Sequence, residues 1–349
     1  MKKTIALIIF LAVVAFVVNT LHHSGSFKAL EPHSSLTDIS IYTNMAGPED
    51  IVIDRARGLL FISSSDRWNT DPSQDGIYLL DLNIDSLPVK LATTYVGELH
   101  PHGMSFLSID GRDYLHIVNH NRTGNYVELF EFKDNMLFHL RSFENEEMCC
   151  PNDVIATGLN NFYVSNDHGA KDGLARTLED YLRLANAYIL YFDGQKYSKA
   201  YENLNYANGI NVSADGETLY VTETTGRRLS VLDRDITSGQ LQLRFVKDLE
   251  SGLDNVTIDS RGNLWIASHP KLLDFVAHAK NTGDLSPSQV LKLTPKGEND
   301  FEVTEVYLNA GGEISGSSTA LHHDGKVYIG VVFENKLLVG AASRREYSN

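Results

Sequence analysis

The sequence predicts an all-β protein, a six-bladed β-propeller, and two repeated features support this fold class. The first is a strand in which an aromatic ring stands between two apolar residues. The central rings of its six copies are Phe61, His116, Tyr163, Tyr220, Trp265 and Tyr328. These rings lie 55, 47, 57, 45 and 63 positions apart. That spacing is close to the length of a four-stranded blade and too irregular for a helical solenoid.

The second repeated feature is a polar turn that precedes each of these strands at a nearly fixed offset. If the strand after each turn is the innermost of its blade, all six turns meet at one end of the central channel. Oxygen-bearing side chains would then converge on the propeller axis. The six turns are Pro48-Glu49-Asp50, Pro101-His102-Gly103, Pro151-Asn152-Asp153, Ala207-Asn208-Gly209, Asp254-Asn255 and Gly316-Ser317-Ser318.

The composition of the 349 residues excludes several classes of function. A hydrophobic content of 42% is enough for a large core. The formal net charge of -15 argues against a nucleic-acid partner and favours a surface that attracts cations. No Gly-x-Ser-x-Gly segment is present, so a serine nucleophile has no support.

The N-terminal segment predicts export. Two lysines and an apolar run make residues 1–21 a signal peptide or an uncleaved signal anchor, followed by a linker over 22–39. The propeller domain is expected over 40–349, and residues 36–43 could add a strand to the last blade and close the ring. We therefore expect a periplasmic or extracellular protein, attached to the membrane if the segment is retained.

Cys149 and Cys150 are the two cysteines of the chain, and they are neighbours. A bond between adjacent residues needs a strained eight-membered ring, so we expect two free, buried thiols. A redox role is the alternative.

Two segments after the third repeat lie outside the strand pattern. Residues 177–188 predict a helix that Thr177 could cap, with an apolar stripe of Leu178, Tyr181, Leu182 and Ala185. This helix could form a short lid over the channel mouth, or its stripe could pack on the propeller rim. Residues 270–279 are apolar and are expected to form pocket wall.

Five side chains of the polar turns predict a central metal site. They supply two carboxylates and three amide oxygens without sulfur, a set that favours calcium over zinc. The alternative is that Asn and Asp are simply good turn formers. The five candidates are Glu49, Asn152, Asn208, Asp254 and Asn255.

The other polar residues of the repeats each have two interpretations. Asp50 and Asp153 stand beside metal candidates and could hold a second, deeper calcium or cap their turns. His102 and His120 lie at opposite ends of one hairpin, where they could meet as a catalytic or a structural pair. Asp167 ends its strand, where an aspartate is also ordinary turn chemistry.

Eight stretches follow one another in a characteristic order from about residue 45 to residue 338. They are Pro101-His102-Gly103-Met104-Ser105, Ile117-Val118-Asn119-His120, Val127-Glu128-Leu129-Phe130, Asn152-Asp153-Val154, Asn166-Asp167-His168, Ala207-Asn208-Gly209-Ile210-Asn211, Leu253-Asp254-Asn255 and residues 265–270. In this order they resemble the paraoxonase family, calcium-dependent lactonases and arylesterases with a six-bladed propeller.

The resemblance implies roles for individual residues. The catalytic calcium would be held by the five candidates above, and a structural calcium by Asp50, Asp153 and the main-chain oxygen of Met104. His102 and His120 would be the histidine pair of the family and Asp167 its active-site aspartate. The substrate pocket would be lined by Trp68, Tyr206 and Phe333.

The sequence also departs from the animal members of this family. Those members join the two chain ends by a disulfide, and this chain has no cysteine near either end. Ser268 stands where they carry a free cysteine. An exported bacterial relative fits these differences better than a protein with the mammalian lipoprotein role.

The predicted activity is calcium-dependent hydrolysis of lactones and aryl esters. Calcium would polarise the substrate carbonyl, and the histidine pair or Asp167 would activate water. A sugar lactonase of the gluconolactonase or senescence-marker kind, or an organophosphate hydrolase, would share the ion site. A non-enzymatic, calcium-stabilised propeller that binds a partner is the remaining alternative.

Overall fold

The fold is a six-bladed β-propeller, as the sequence predicts. It is described by a computed structural model over residues 1–342, so residues 343–349 of the predicted propeller segment lie outside the described residues. Six sheets are arranged around a central channel, and the innermost strand of each sheet contacts the innermost strands of its two neighbours.

The chain enters the propeller through α1 (Lys2–His23), β1 (His33–Ser34) and β2 (Leu36–Tyr42). Blade 1 contains β3 (Pro48–Asp54), β4 (Leu59–Ser64), β5 (Gly76–Asp81) and β6 (Val89–Lys90), with a 3₁₀ turn at Pro72–Gln74. Blade 2 contains β7 (Ala92–Thr93), β8 (Pro101–Ile109), β9 (Arg112–Asn121), β10 (Gly124–Lys133) and β11 (Met136–Phe143).

Blade 3 contains β12 (Pro151–Gly158), β13 (Asn161–Asn166), β14 (Ala187–Phe192) and β15 (Tyr197–Leu204), with α2 (Gly173–Leu182) inserted after β13. Blade 4 contains β16 (Ala207–Val212), β17 (Thr218–Glu223), β18 (Arg228–Arg234) and β19 (Leu241–Asp248). Blade 5 contains β20 (Gly252–Ile258), β21 (Leu264–His269), β22 (Ser288–Pro295) and β23 (Phe301–Asn309), with α3 (Leu272–Lys280) after β21. Blade 6 contains β24 (Ser317–His323), β25 (Lys326–Val331) and β26 (Leu337–Ala342).

The six aromatic-centred runs all lie in the second strand of a blade, which is why they recur so regularly. Second strands are flanked by pairing partners on both sides, and this position favours aromatic and β-branched side chains. Five of the six central rings are buried, and Tyr220 is half-buried. The repeat in the sequence therefore marks the middle of each sheet.

The sequence analysis expected the polar segments ahead of these runs to be turns, but they lie at or beside the start of the innermost strands. Each inner strand shifts its register against the second strand at this point, as between Pro101 and Met104 or between Pro151 and Val154. A bulge bends its strand and redirects the side chains beside it. Six such bulges at one end of the channel bring the polar side chains together.

The N-terminal and C-terminal segments close the ring between them. Strand β2 pairs antiparallel with β26, from Leu36 opposite Ala342 to Tyr42 opposite Leu337. This confirms the strand expected over 36–43. The preceding β1, for which the sequence gives no signal, pairs with β23 at the outer edge of blade 5. The two pairings attach the N-terminal segment to the last two blades.

The first predicted helix outside the blades is displaced from its expected bounds. It begins at Gly173 rather than at Thr177 and ends at Leu182, where Arg183 adopts a left-handed conformation with φ of 53°. Thr177 does not cap it, and its hydroxyl instead donates to the carbonyl of Gly173. The apolar stripe is exposed rather than packed on the rim, because polar residues of α2 face the propeller.

The N-terminal helix α1 is 22 residues long with a mean hydropathy of 2.7, and none of its residues is buried within the protein. It is long and apolar enough to cross a membrane, although a signal sequence meets the same criterion. The end of the helix contacts the propeller rim. His23 Nε2 lies 2.8 Å from the Thr225 carbonyl, and Arg183 donates to Asn19 Oδ1 at 2.6 Å.

Candidate active site and metal centre

A cavity of about 580 Å³ lies at the channel end where the inner strands begin. Its walls come from different blades and from both helices inserted between strands. The cavity brings together residues that the sequence analysis selected far apart along the chain. These are Glu49, His102, His120, Asn152, Asp167, Tyr206, Asn208, Asp254 and Phe333.

Four of the five predicted calcium ligands carry a buried oxygen that has no hydrogen-bond partner. These atoms are Glu49 Oε2, Asn152 Oδ1, Asn208 Oδ1 and Asn255 Oδ1. An unpartnered buried oxygen costs about 1–3 kcal/mol, so four of them close together are expected to bind a cation or ordered water. The donor set fits a hard cation.

The nitrogens of two of these amides are engaged elsewhere, which fixes the direction of the oxygens. Asn208 Nδ2 donates to Thr224 Oγ1 at 3.1 Å, and Asn255 Nδ2 donates to Glu49 Oε1 at 2.9 Å. In each amide the oxygen therefore points away from the group to which the nitrogen donates. The metal-binding role of these residues stays a prediction.

The fifth predicted ligand, Asp254, is held by a histidine that the sequence analysis did not select. His269 Nε2 lies 2.8 Å from Asp254 Oδ2, and the buried imidazole stacks on Phe275 with ring centroids 3.8 Å apart. A histidine that orients a metal-binding carboxylate is a common feature of metal sites. The signal in the sequence was the stretch 265–270, which ends in His269 and Pro270.

The five predicted metal ligands all offer oxygen atoms. Within residues 1–342 no cluster of three or more His, Cys, Asp or Glu side chains has an arrangement suited to a metal ion. The predicted set has two carboxylates and depends on three amides for its other oxygens. Such a set, without thiolate, is one that calcium accepts more readily than zinc.

Asp50 and Asp153 lie next to ligand candidates but line a second cavity, of about 190 Å³. Burial and the neighbouring Glu49 raise the pKa of Asp50 to about 8, and burial and Asp50 raise the pKa of Asp153 well above its ordinary value. Two buried carboxylates that repel each other favour a cation between them.

The two carboxylates also accept backbone hydrogen bonds, as the alternative of turn capping requires. Asp50 accepts from the N–H groups of Ile51 at 2.8 Å and Met104 at 2.7 Å. Asp153 accepts from those of Val154 at 2.7 Å and Ile210 at 2.9 Å. Met104 thus joins the pair through its nitrogen, and the ligand role of its oxygen stays a prediction.

The two histidines of blade 2 meet at the rim of the larger cavity. His102 Nδ1 lies 2.9 Å from His120 Nε2, and His120 Nδ1 lies 2.9 Å from Asn125 Oδ1. Because the Asn125 oxygen only accepts, His120 carries its proton on Nδ1. Burial, with a smaller contribution from His102, lowers the pKa of His120 to about 4, so this ring is neutral at pH 7.

The tautomer of His120 determines that of His102. Neutral His120 has its lone pair on Nε2, so His102 must donate from Nδ1. The other ring nitrogen of His102, Nε2, lies 3.5 Å from Glu49 Oε1 at the cavity wall. This nitrogen therefore stands beside the candidate metal ligands.

Asp167 is enclosed by cationic partners that the sequence analysis missed. His168 Nδ1 lies 2.6 Å from Asp167 Oδ1, and Arg176 of α2 lies 3.3 Å from both carboxylate oxygens. His168 also contacts Asp180 at 3.0 Å. Burial opposes the charge, but hydrogen bonds to Asp167 and Asp180 raise the pKa of His168 to about 9. The sequence signal for His168 was its place directly after Asp167.

These contacts also fix α2 over the cavity mouth. Arg176 and Asp180 reach the end of β13, and Glu179 accepts from the Gly169 N–H at 2.9 Å and from Asn186 at 3.2 Å. Lys171 and Asp172, at the start of the helix, line the cavity. This geometry agrees with the lid alternative.

Two of the three predicted pocket residues line the cavity, and the third lies behind its wall. Tyr206 and Phe333 line the cavity, together with Phe275 of α3. Trp68 stands behind this wall, stacked on Phe333 with ring centroids 5.5 Å apart. The half-buried Arg67, another residue that the sequence analysis missed, reaches the cavity 3.9 Å from Glu49 Oε2.

Comparison with known proteins shows the family of this chain and agrees with its fold. A family model described as Arylesterase matches residues 56–340. Human serum paraoxonase/arylesterase 2 is 32% identical over 305 residues, which cover 84% of this chain and 85% of that protein.

Solved structures with a similar fold have much lower identity. A gluconolactonase from Xanthomonas campestris has a TM-score of 0.53 at 15% identity and covers 90% of this chain and 96% of its own. The calcium-binding protein regucalcin from Agrobacterium tumefaciens has a TM-score of 0.51 at 14% identity, covering 86% and 90%. The fold is therefore shared widely, while the sequence match is specific, and the chain belongs to the arylesterase family.

Proposed function

We propose that this protein is a calcium-dependent hydrolase of lactones and aryl esters. The observation that supports this most strongly is the group of four buried, unpartnered oxygens from Glu49, Asn152, Asn208 and Asn255 at one end of the channel. Relatives named paraoxonase/arylesterase support the reaction class, and a fold neighbour named as calcium-binding supports the ion.

These four residues and Asp254 would hold the ion, with His269 orienting the Asp254 carboxylate. When bound, calcium would supply a Lewis acid that polarises the substrate carbonyl. Asp50, Asp153 and the backbone oxygen of Met104 would hold a second, structural calcium. Their place between blades 1, 2 and 3 suits a stabilising role.

His102 is the better candidate for the general base. Its Nδ1 is held by the chain of hydrogen bonds through His120 to Asn125, which leaves Nε2 as the ring nitrogen that can take a proton, and His102 lines the cavity. His102 would take a proton from water as the water attacks the carbonyl. His120 would position the ring and keep the proton on its Nδ1.

Asp167 is the competing base, and its partners weaken that role. His168 contacts one oxygen of the Asp167 carboxylate and Arg176 donates to both, so neither oxygen is left free to take a proton from water. We assign Asp167 instead to holding the lid helix α2 over the cavity. Tyr206, Phe333 and Phe275 would provide the apolar wall for the acyl or aryl group, with Trp68 supporting Phe333.

We also infer that the protein is exported and attached to a membrane through α1. The helix has a mean hydropathy of 2.7 and no buried residue, and its end contacts the rim beside α2. Exposed Leu174, Leu178 and Tyr181 lie on the same lid helix. Lipophilic substrates would then meet the cavity mouth close to the membrane surface.

A substrate panel with and without a calcium chelator tests the proposal. Aliphatic lactones and phenyl acetate should be hydrolysed in calcium buffer, and sugar lactones should be poor substrates. A preference for sugar lactones would favour the gluconolactonase alternative. Loss of all ester and lactone turnover in calcium would favour a binding module.

A further inference from the structure

We propose that Cys149 and Cys150 form a vicinal dithiol that closes to a disulfide on oxidation by a hydroperoxide, and that closure lowers hydrolysis at the adjacent site. The second half of this proposal rests on the proposed hydrolase function. The first half concerns the two thiols alone.

The two sulfur atoms are already adjacent and open to the cavity. Cys149 Sγ and Cys150 Sγ lie 2.8 Å apart, and both residues line the larger cavity. Both are free thiols, and they are the two cysteines in the whole sequence. Cys149 is partly exposed, whereas Cys150 is buried. A small oxidant in the cavity therefore reaches Cys149 first.

The surroundings of Cys149 favour its oxidation. A hydrogen bond from the Cys150 thiol lowers the pKa of Cys149 to about 7, although burial opposes this shift. The Cys149 thiol lies 3.3 Å from the His168 carbonyl, and Cys150 Sγ lies 3.5 Å from the Ala170 carbonyl. Thiolate character and exposure are the two properties that make a cysteine sensitive to oxidation.

The chemistry balances with hydrogen peroxide as the electron acceptor. The Cys149 thiolate attacks one peroxide oxygen, the O–O bond breaks, and the other oxygen leaves as water after taking a proton. Cys150 then attacks the sulfur of the resulting sulfenic acid, forms the S–S bond and releases the second water. Two thiols are oxidised, and one peroxide is reduced to two waters.

The peptide between the cysteines connects them to the site. The Cys149 carbonyl accepts a hydrogen bond from Asn125 Nδ2 at 2.7 Å, and the same Asn125 holds His120. The Cys150 carbonyl accepts from the Asp167 N–H at 3.0 Å. Asn152, a proposed calcium ligand, follows two residues later. A rotation of the Cys149–Cys150 peptide therefore moves the acceptor of Asn125 directly, and it shifts the Cys150 carbonyl and Asn152 through the adjoining backbone.

Closure requires such a rotation. A disulfide bond is about 2.05 Å long, so the sulfurs must approach each other, and the eight-membered ring restrains the peptide that joins them. Displacing a positioned catalytic group by about 1 Å can cost on the order of a hundredfold in rate. Strained disulfides are also easily reduced, so the closed state should reopen with a thiol reductant.

The experiment uses the full chain with calcium bound. Reduced protein is treated with dilute hydrogen peroxide, and its intact mass, free thiol content and lactone turnover are followed together. We expect the monomer to lose two hydrogens, both thiols to disappear, and turnover to fall about tenfold or more. Dithiothreitol should restore all three values.

Two single variants and one probe provide the controls. Cys149→Ser and Cys150→Ser, each compared with its own reduced form, should show no loss of two hydrogens, and Cys150→Ser should instead gain one oxygen as the sulfenic acid of Cys149. Phenylarsine oxide, which condenses with two adjacent thiols, should bind once to the native chain and to neither variant. Binding of phenylarsine oxide to Cys149→Ser or to Cys150→Ser would contradict the vicinal pair.

The possible outcomes separate the two halves of the proposal. Oxygen addition or intermolecular dimers without loss of two hydrogens would overturn the disulfide. Closure with unchanged turnover would overturn its effect on hydrolysis. If the reduced protein hydrolyses no lactone or ester, the effect on hydrolysis fails with the proposed function. The mass and phenylarsine oxide measurements still decide whether the dithiol closes.

Discussion

Nδ1 of His102 lies 2.9 Å from Nε2 of His120, across the hairpin that forms the two inner strands of blade 2. Eighteen positions of sequence separate the two rings. The contact matters because it fixes which nitrogen of His102 carries the lone pair. With His120 neutral and bonded to Asn125, the free nitrogen of His102 is the one beside Glu49.

The first prediction concerns this nitrogen. His102→Gln should keep calcium affinity and fold, because the imidazole is not among the proposed oxygen ligands. Lactone kcat should fall by about two to four orders of magnitude, the usual contribution of a general base. The measurement is steady-state hydrolysis of an aliphatic lactone at saturating calcium.

His120→Gln and Asp167→Asn serve as comparisons for the base. His120→Gln should cost less than His102→Gln, since an orienting partner affects only tautomer and position. A larger loss in Asp167→Asn than in His102→Gln, with calcium still bound, would assign the proton transfer to the carboxylate. Lactones are the required substrates, because aryl esters have better leaving groups and depend less on a base.

The second prediction concerns the unpartnered oxygen of Asn208. Asn208→Ala should weaken calcium binding by about tenfold or more, since it removes one oxygen from the proposed set. At low calcium the melting temperature of the variant should lie below that of the native chain. At saturating calcium most of this difference should disappear. Thermal unfolding over a calcium series measures both effects.

A buried asparagine away from both cavities provides the matched control for Asn208. Asn263 donates from Nδ2 to Asp259 Oδ2 at 2.9 Å, and it lines neither cavity. Asn263→Ala should lower stability by the same amount at every calcium concentration. Parallel calcium dependence in the two variants would remove Asn208 from the ion site.

Much of the fold could be predicted because every blade of the propeller repeats the same kind of buried strand. The buried second strand recurs six times, so rings such as Phe61 and Trp265 mark it even without an alignment. The bulges could not be predicted in the same way. A bulge depends on a register between two strands, and a segment such as Pro151-Asn152-Asp153 looks like a turn when it is read alone.

The candidate site was predicted where its residues belong to the repeat and missed where they do not. Glu49 and Asn208 occupy equivalent points of their blades, so their convergence follows from the fold. Arg67 and His269 come from segments that end or follow a strand, and Arg176 comes from an inserted helix. Their contacts depend on the tertiary structure and could not be predicted from the spacing of residues in the sequence.

The third prediction is a pH dependence of stability from His168. Its folded-state pKa is raised to about 9, above the ordinary value of 6.5. The ion pairs with Asp167 and Asp180 therefore contribute fully below about pH 6.5, and the contribution is lost as the pH rises through 9. We expect about 2 kcal/mol between these limits, after allowance for partial exposure of the partners.

Urea unfolding of the native chain and of His168→Gln, at saturating calcium from pH 6 to pH 10, measures this contribution. The free energy of unfolding of the two proteins should converge as the pH increases. Asp180→Asn, which removes one of the two partners, should reduce the pH dependence without abolishing it. A constant difference between native chain and His168→Gln would show that the imidazole is not charged in the folded protein.

The fourth prediction concerns the N-terminal helix. The full chain should sediment with lipid vesicles, and a variant that lacks residues 1–18 should stay in solution and keep its turnover. The deletion stops before Asn19 because the end of the helix contacts Arg183 and Thr225. N-terminal sequencing of exported protein that begins near His22 would show that the segment is cleaved instead.

The most direct test of the central claim is lactone turnover measured against free calcium concentration in the full chain. Chelation should abolish turnover and lower the melting temperature, and added calcium should restore both along one saturation curve. At a hundredfold excess over Kd the ion should stabilise the fold by about 2.7 kcal/mol. Full turnover and an unchanged melting temperature, in protein shown by metal analysis to hold no calcium, would contradict the account.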